Sequence, residues 1–125
     1  MQHGLKLMQL RETGVKAMGG QVQPGAEAWS HKGTLTSGVL VIHGFTGNPS
    51  SVRELAERFA AEGFHVEVPR LSGHGTVIED MMPTRWSDWS ADVEAAYKGL
   101  SSRCQRVIVA GLSMGGALTL WLAAQ

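Results

Sequence analysis

Regular patterning begins at Val39-Leu40-Val41-Ile42, an apolar and largely β-branched run bounded by Gly38 and Gly44. Such a run predicts a strand buried on both faces, as in a parallel sheet. Asn48-Pro49-Ser50-Ser51 supplies a turn and an N-cap. Val52, Leu55, Ala56, Phe59 and Ala60 then follow at helical spacing until Gly63 stops the helix. Phe64, Val66 and Val68 alternate with His65 and Glu67, which predicts a second strand closed by Pro69. A long loop over residues 70–83 carries Ser72-Gly73-His74-Gly75. Trp86, Trp89, Val93, Ala96 and Leu100 place one apolar stripe on a second helix. Arg106-Val107-Ile108-Val109-Ala110 predicts a third buried strand, and residues 111–116 lead from it into the helical pattern Ala117 to Leu122.

Alternating strands and helices predict βαβ crossovers, hence an α/β fold around an open parallel sheet. Residues 1–20 scatter Lys6, Arg11, Glu12 and Lys16 among Leu and Met and read as an N-terminal extension; residues 21–125 read as one domain. The last residues, Ala123-Ala124-Gln125, continue an apolar helical pattern without a closing Gly, Pro or basic residue. The expectation is therefore a truncated, N-terminal portion of a larger domain. Three strands make a small sheet, and its outer edge would expose unpaired backbone groups.

Composition narrows the partners. Lys+Arg and Asp+Glu both number 11, so no basic surplus is available to neutralise phosphates, and nucleic acid is not expected. Cys104 is the single cysteine, which excludes an internal disulfide and a cysteine-based zinc site and fits a reducing compartment. No apolar stretch reaches signal-peptide or membrane-span length, so stable membrane insertion is not expected and the cytoplasm is the default location. No H-x-x-x-H spacing or acidic cluster suggests a metal.

Gly111-Leu112-Ser113-Met114-Gly115 reads G-x-S-x-G. Alone, in a chain with 16 glycines, that is a weak signal. Its context is stronger: the motif directly follows a buried strand and directly precedes a helix, the setting of a nucleophile elbow. So sharp a turn excludes side chains two residues before and after the serine, which predicts steric need for Gly111 and Gly115, with Gly116 letting the helix lie close to the strand. Ser113 would hold a strained backbone that thrusts its hydroxyl outward, toward the positive end of the new helix. The alternatives are a turn that merely packs or one that binds phosphate; the phosphate-loop patterns G-x-x-x-x-G-K-[ST] and G-x-G-x-x-G are both missing here.

Acyl transfer at such a serine needs two amide donors for the oxyanion. Met114, the residue after the nucleophile, would supply one. The loop His43-Gly44-Phe45-Thr46-Gly47, after the first strand, would supply the other from the Phe45 N–H. An ordinary Gly-rich turn is the alternative.

The segments VIHGFTGNPSSVRELAERFAAEGFHVEVPRLSGHGT, EDMMPTRWSDW and VAGLSMGGALTLWLA together resemble the bacterial monoacylglycerol lipase and carboxylesterase branch of the α/β-hydrolases. The resemblance extends from about Val22 to Gln125. It implies an α/β-hydrolase fold, a serine esterase acting on small-molecule esters or monoacylglycerols without a cofactor, Ser113 as nucleophile, and Phe45 and Met114 as amide contacts. It also implies a domain of roughly twice this length, with a helical cap and with the triad Asp and His beyond Gln125. Acyltransferase, thioesterase and C–C hydrolase chemistry share the same elbow. A fragment lacking the triad partners would be non-catalytic.

Other polar residues read more plainly. His43 is expected to shape the oxyanion loop by hydrogen bonding and His74 to brace its own loop. His65 is placed near solvent, and His3 and His31 outside the core. Asp88 and Asp92 read as one charged helix face, Glu79 and Asp80 as turn caps, and Trp86, Trp89 and Trp121 as core. Met81 and Met82 fit either packing or the border of an acyl pocket, and Cys104 fits packing.

Overall fold

A computed structural model describes residues 19–125; all but the last two residues of the extension expected over 1–20 lie outside them. Four strands, β1 (Trp29–His31), β2 (Ser37–Ile42), β3 (His65–Val68) and β4 (Arg106–Gly111), form one sheet in the order β1-β3-β2-β4. Three α-helices cover it: α1 (Arg53–Ala61), α3 (Trp86–Ser101) and α4 (Met114–Ala123). A short helix α2 (Ile78–Met81) lies in the long loop.

β2 is central because its side chains are apolar on both faces. Leu40 and Ile42 join a core with Leu71, Trp89, Val93, Leu100, Leu118 and Leu122, beneath α3 and α4. Val39 and Val41 pack on the other face with Val52, Ala56, Val66 and Val68, beneath α1. Each fully buried aliphatic side chain contributes about 1.5–3 kcal/mol, so the two-sided strand anchors both layers. α1 begins where expected: the Asn48 side chain accepts from the Ser50 N–H at 2.9 Å and starts a 3-10 turn at Pro49–Val52. Gly63, at φ +97°, ends the helix in a conformation that disfavours a side chain.

Three expectations need correction. The sheet is mixed rather than wholly parallel, because β1 runs antiparallel to β3, pairing Trp29 with Val68 and His31 with Val66. Trp29-Ser30-His31 is too short and polar to read as a strand alone; long-range partners hold it, with Ser30 donating to Glu67 and the Arg53 guanidinium 4.2 Å above the Trp29 ring. β4 is not buried on both faces. It pairs with β2 alone among the described residues, and Ile108, in register with Val39, is 41% exposed because no described helix covers it. Leu55 and Trp86 are also exposed rather than core, since each lies at the margin of its helix's apolar face.

Candidate active site

β4 ends at Gly111 and α4 starts at Met114, leaving two residues to reverse from strand to helix. Ser113 takes the strain, with φ 56° and ψ −121°. That conformation costs a non-glycine residue about 1–3 kcal/mol and persists only where the surroundings impose it. They do. A methyl group on Gly111 would lie 2.0 Å from the Gly115 carbonyl oxygen, and one on Gly115 would lie 2.2 Å from that of Ile42. Both glycines are therefore sterically demanded. Gly116 is not: a methyl group there meets its nearest neighbour at 3.6 Å, so the close approach of helix to strand falls on Gly115 alone.

The loop after β2 lies directly on this turn. A methyl group on Gly44 would be 3.2 Å from both the Leu112 oxygen and Ser113 Cβ. Thr46 has φ 62°, and the Gly47 N–H closes the loop onto the Gly44 oxygen at 3.0 Å. Ser113 is exposed and its hydroxyl has no hydrogen-bond partner among the described residues. The amides of Phe45 and Met114 likewise donate to no described acceptor. Ser113 and these two free donors are thus presented by adjoining turns, with Met114 at the positive end of a ten-residue helix.

His43 anchors the loop from below. It is fully buried, and the Leu71 N–H donates to its Nε2 at 3.1 Å. The ring proton must then lie on Nδ1, which donates to the Gly44 oxygen at 2.9 Å. Burial lowers its pKa from 6.5 to about 4, helped by nearby His74 and Arg70 and opposed by the Gly44 bond. With its lone pair occupied, His43 braces the loop and cannot take a proton from Ser113.

A pH effect follows from that neutral ring. The unfolded histidine gains a proton below about pH 6.5, whereas the folded one resists until about pH 4. Its contribution is complete above pH 6.5 and is lost as pH falls toward 4, by about 3 kcal/mol in all. Urea midpoints measured between pH 7 and 4 should show this slope, and His43→Gln should flatten it; an unchanged slope in the variant would remove His43 as the cause.

The loop over residues 70–76 completes the surroundings. Asp92 accepts the Ser72 N–H at 2.6 Å, and Trp89 Nε1 donates to the Ser72 oxygen at 3.1 Å. Asp92 is therefore a brace, which corrects its reading as a solvent face; its position three residues after Trp89 puts both on one helix face and was the available signal. Asp88 does face solvent and caps α3 by accepting the Arg85 N–H. Asp80 accepts from the Gly20 N–H and from Thr76. The Phe45 ring packs edge-on against His74 and Trp89, at 6.0 and 5.6 Å between centroids. His65 accepts from the Gly33 N–H, and His31 stacks on Trp29, both on the far strands of the sheet.

Among the described residues no three His, Cys, Asp or Glu side chains are grouped to hold a metal ion, and no helix is long and apolar enough to cross a membrane.

Comparison with known proteins agrees with this architecture. Residues 39–124 match the Alpha/beta hydrolase family. The chain is 58% identical over 86 residues to a thermostable monoacylglycerol lipase of Bacillus sp. (strain H-257), an overlap of 69% of this chain and 34% of that protein. It is 39% identical over 85 residues to a carboxylesterase of Bacillus subtilis (strain 168), covering 67% and 35% respectively. A solved structure described with LipS and LipT, two metagenome-derived lipolytic enzymes, superposes with a TM-score of 0.81 at 53% identity, over 84% of this chain and 42% of that one. The chain thus spans about a third of the length of the curated relatives it matches. With the strand–turn–helix around Ser113 already in place, the match over residues 39–124 is conclusive: this chain belongs to the α/β-hydrolase family.

Proposed function

We propose that this chain is the nucleophile-bearing part of a serine carboxylic ester hydrolase acting on small esters, monoacylglycerols among them. One observation carries the reading: a strained, exposed Ser113 on a turn adjoining that of two amides, Phe45 and Met114, that have no acceptor among the described residues. The hydrolases and lipases among its relatives support the reaction class.

Ser113 Oγ attacks the ester carbonyl carbon while a histidine takes its proton, and the carbonyl oxygen becomes an anion bound by the Phe45 and Met114 N–H groups. Each such donor typically lowers the barrier by about 3 kcal/mol. Collapse of the intermediate expels the alcohol, protonated by the same histidine, and leaves an acyl group on Ser113. Water then repeats the cycle and releases the acid. No metal or organic cofactor takes part. The histidine and its orienting acid are proposed to come from sequence beyond Gln125, because His43 is locked by Leu71 and Gly44, His74 is buried with Nδ1 bonded to the Ser72 oxygen, and His31 and His65 lie on β1 and β3.

A fluorophosphonate probe should label Ser113 in the chain extended by its downstream coding sequence, while residues 1–125 alone should hydrolyse p-nitrophenyl esters at little above the background rate. A folded, extended protein that the probe leaves unlabelled would overturn the proposal, as would a downstream reading frame without an Asp or Glu followed by a His.

A further inference from the structure

The planar peptide between Gly44 and Phe45 carries the Phe45 N–H on one edge and the Gly44 oxygen on the opposite edge, so whatever holds the oxygen also aims the amide. Two donors hold it, His43 Nδ1 at 2.9 Å and the Gly47 N–H at 3.0 Å. The peptide lies close to the nucleophile, since a methyl group on Gly44 would be 3.7 Å from Ser113 Oγ. The aim of the Phe45 amide thus depends on the His43 ring, and that ring is held in turn from another part of the chain.

The Leu71 N–H donates to His43 Nε2 at 3.1 Å, and the next amide along, that of Ser72, donates to Asp92 Oδ2 at 2.6 Å. Leu71 is fully buried in the core beneath α3, so the two amides flank a fixed side chain. Trp89 Nε1 donates to the Ser72 oxygen at 3.1 Å, and the Trp89 ring also packs edge-on against that of Phe45. Trp89 and Asp92 stand three residues apart on one face of α3. An unbroken path therefore runs from Asp92 through Ser72, Leu71, His43 and Gly44 to the Phe45 amide. A carboxylate accepting an amide proton makes a bond roughly twice as strong as a neutral acceptor would, which suits the anchor of such a path. The Met114 amide lies off it, at the start of α4 beside the strained Ser113.

We infer that Asp92, assisted by Trp89, is a positioning residue for the reaction: it sets the aim of the Phe45 amide through the loop at residues 71–72 and His43, and leaves the Met114 amide unaffected. The inference rests on the esterase reading for the reaction itself, and displacement of the amide can be observed without turnover.

In the extended protein, Asp92→Ala should lower kcat per active site, counted by fluorophosphonate titration, by about 10-fold to 100-fold with KM changed by less than about twofold, because a misaimed donor is felt mainly in the transition state. Affinity for a trifluoromethyl ketone, which a serine converts to a tetrahedral oxyanion, should fall by a similar factor. A merely structural role would reduce the number of titratable sites and leave kcat per site and the ketone affinity unchanged; that result would overturn the inference. Asp92→Asn keeps an oxygen able to accept the Ser72 N–H and should retain at least about a third of the parent kcat; an asparagine variant as impaired as the alanine one would also overturn it. Should Asp92→Ala not fold, Trp89→Phe removes the donor to the Ser72 oxygen while keeping an aromatic ring against Phe45. It should lower kcat per site by about threefold to tenfold, the worth of one neutral hydrogen bond, and an unchanged kcat would count against the path. Amide NMR spectra of the extended protein should show the Phe45 resonance displaced in Asp92→Asn or Asp92→Ala more than that of Met114; equal shifts of the two, or none, would overturn the inference. Failure of the esterase reading shows separately: a displaced Phe45 amide in a protein whose Ser113 resists the probe leaves the positioning standing and removes the reaction.

Discussion

Gly115→Ala should cost this chain about 3 kcal/mol or more of folding stability, out of the 5–15 kcal/mol typical of a domain. Its new methyl group would lie 2.2 Å from the Ile42 carbonyl oxygen and 2.7 Å from that of His43. Both are backbone atoms, one within β2 and one just after it, so no side-chain rotation relieves the overlap. Relief requires α4 to move away from the sheet, and Leu118 and Leu122 would then lose contact with Leu40 and Ile42. Gly99→Ala provides the control. Position 99 lies within α3 with no atom within 4 Å of the added methyl group, and alanine there should stabilise by about 0.5–1 kcal/mol through helix propensity. Urea unfolding of the two variants should move the midpoint in opposite directions. A Gly115→Ala midpoint equal to that of the parent chain would mean that helix and strand are not so closely packed.

Substitution of Ser113 separates chemistry from stability. In the extended protein, Ser113→Ala should reduce kcat by about 10⁶-fold, the loss expected when a nucleophile is removed from a triad that acts as a unit. Alanine retains a Cβ, so the strained backbone at φ 56° remains and stability should hardly change. Ser113→Gly should abolish turnover as completely yet raise stability by about 1 kcal/mol, because glycine occupies that region without steric cost. Gain of stability with loss of function at one position is the mark of a site held under strain for its chemistry. Turnover within tenfold of the parent in Ser113→Ala would end the nucleophile assignment. Equal stability of the alanine and glycine variants would end the claim of strain.

Much of the fold was legible because its signals are local. The β-branched run Val39–Ile42 with glycines at both ends marks a strand buried on two faces, and Asn48 and Gly63 mark the limits of the α1 region. Gly111, Ser113 and Gly115 also announce their geometry locally, since a two-residue reversal between strand and helix tolerates only those side-chain sizes. What depends on distant residues stayed hidden. β1 exists because Val66 and Val68 lie 35 and 39 residues from their partners His31 and Trp29, and no spacing within Trp29-Ser30-His31 encodes that pairing. The apolar pattern of β4 resembles that of β2, yet only neighbours in space make one central and the other an edge.

The same division runs through the site. Chain sequence alone determined which turn carries the serine and which loop faces it, because glycine spacing and strand ends obey short-range sterics. Tertiary structure alone decided the tautomer of His43 and the bracing by Asp92 and Trp89. Hydrogen bonds between residues 17 to 28 positions apart are set by how helices and loops pack over the sheet, and packing is a property of the whole chain rather than of any window along it.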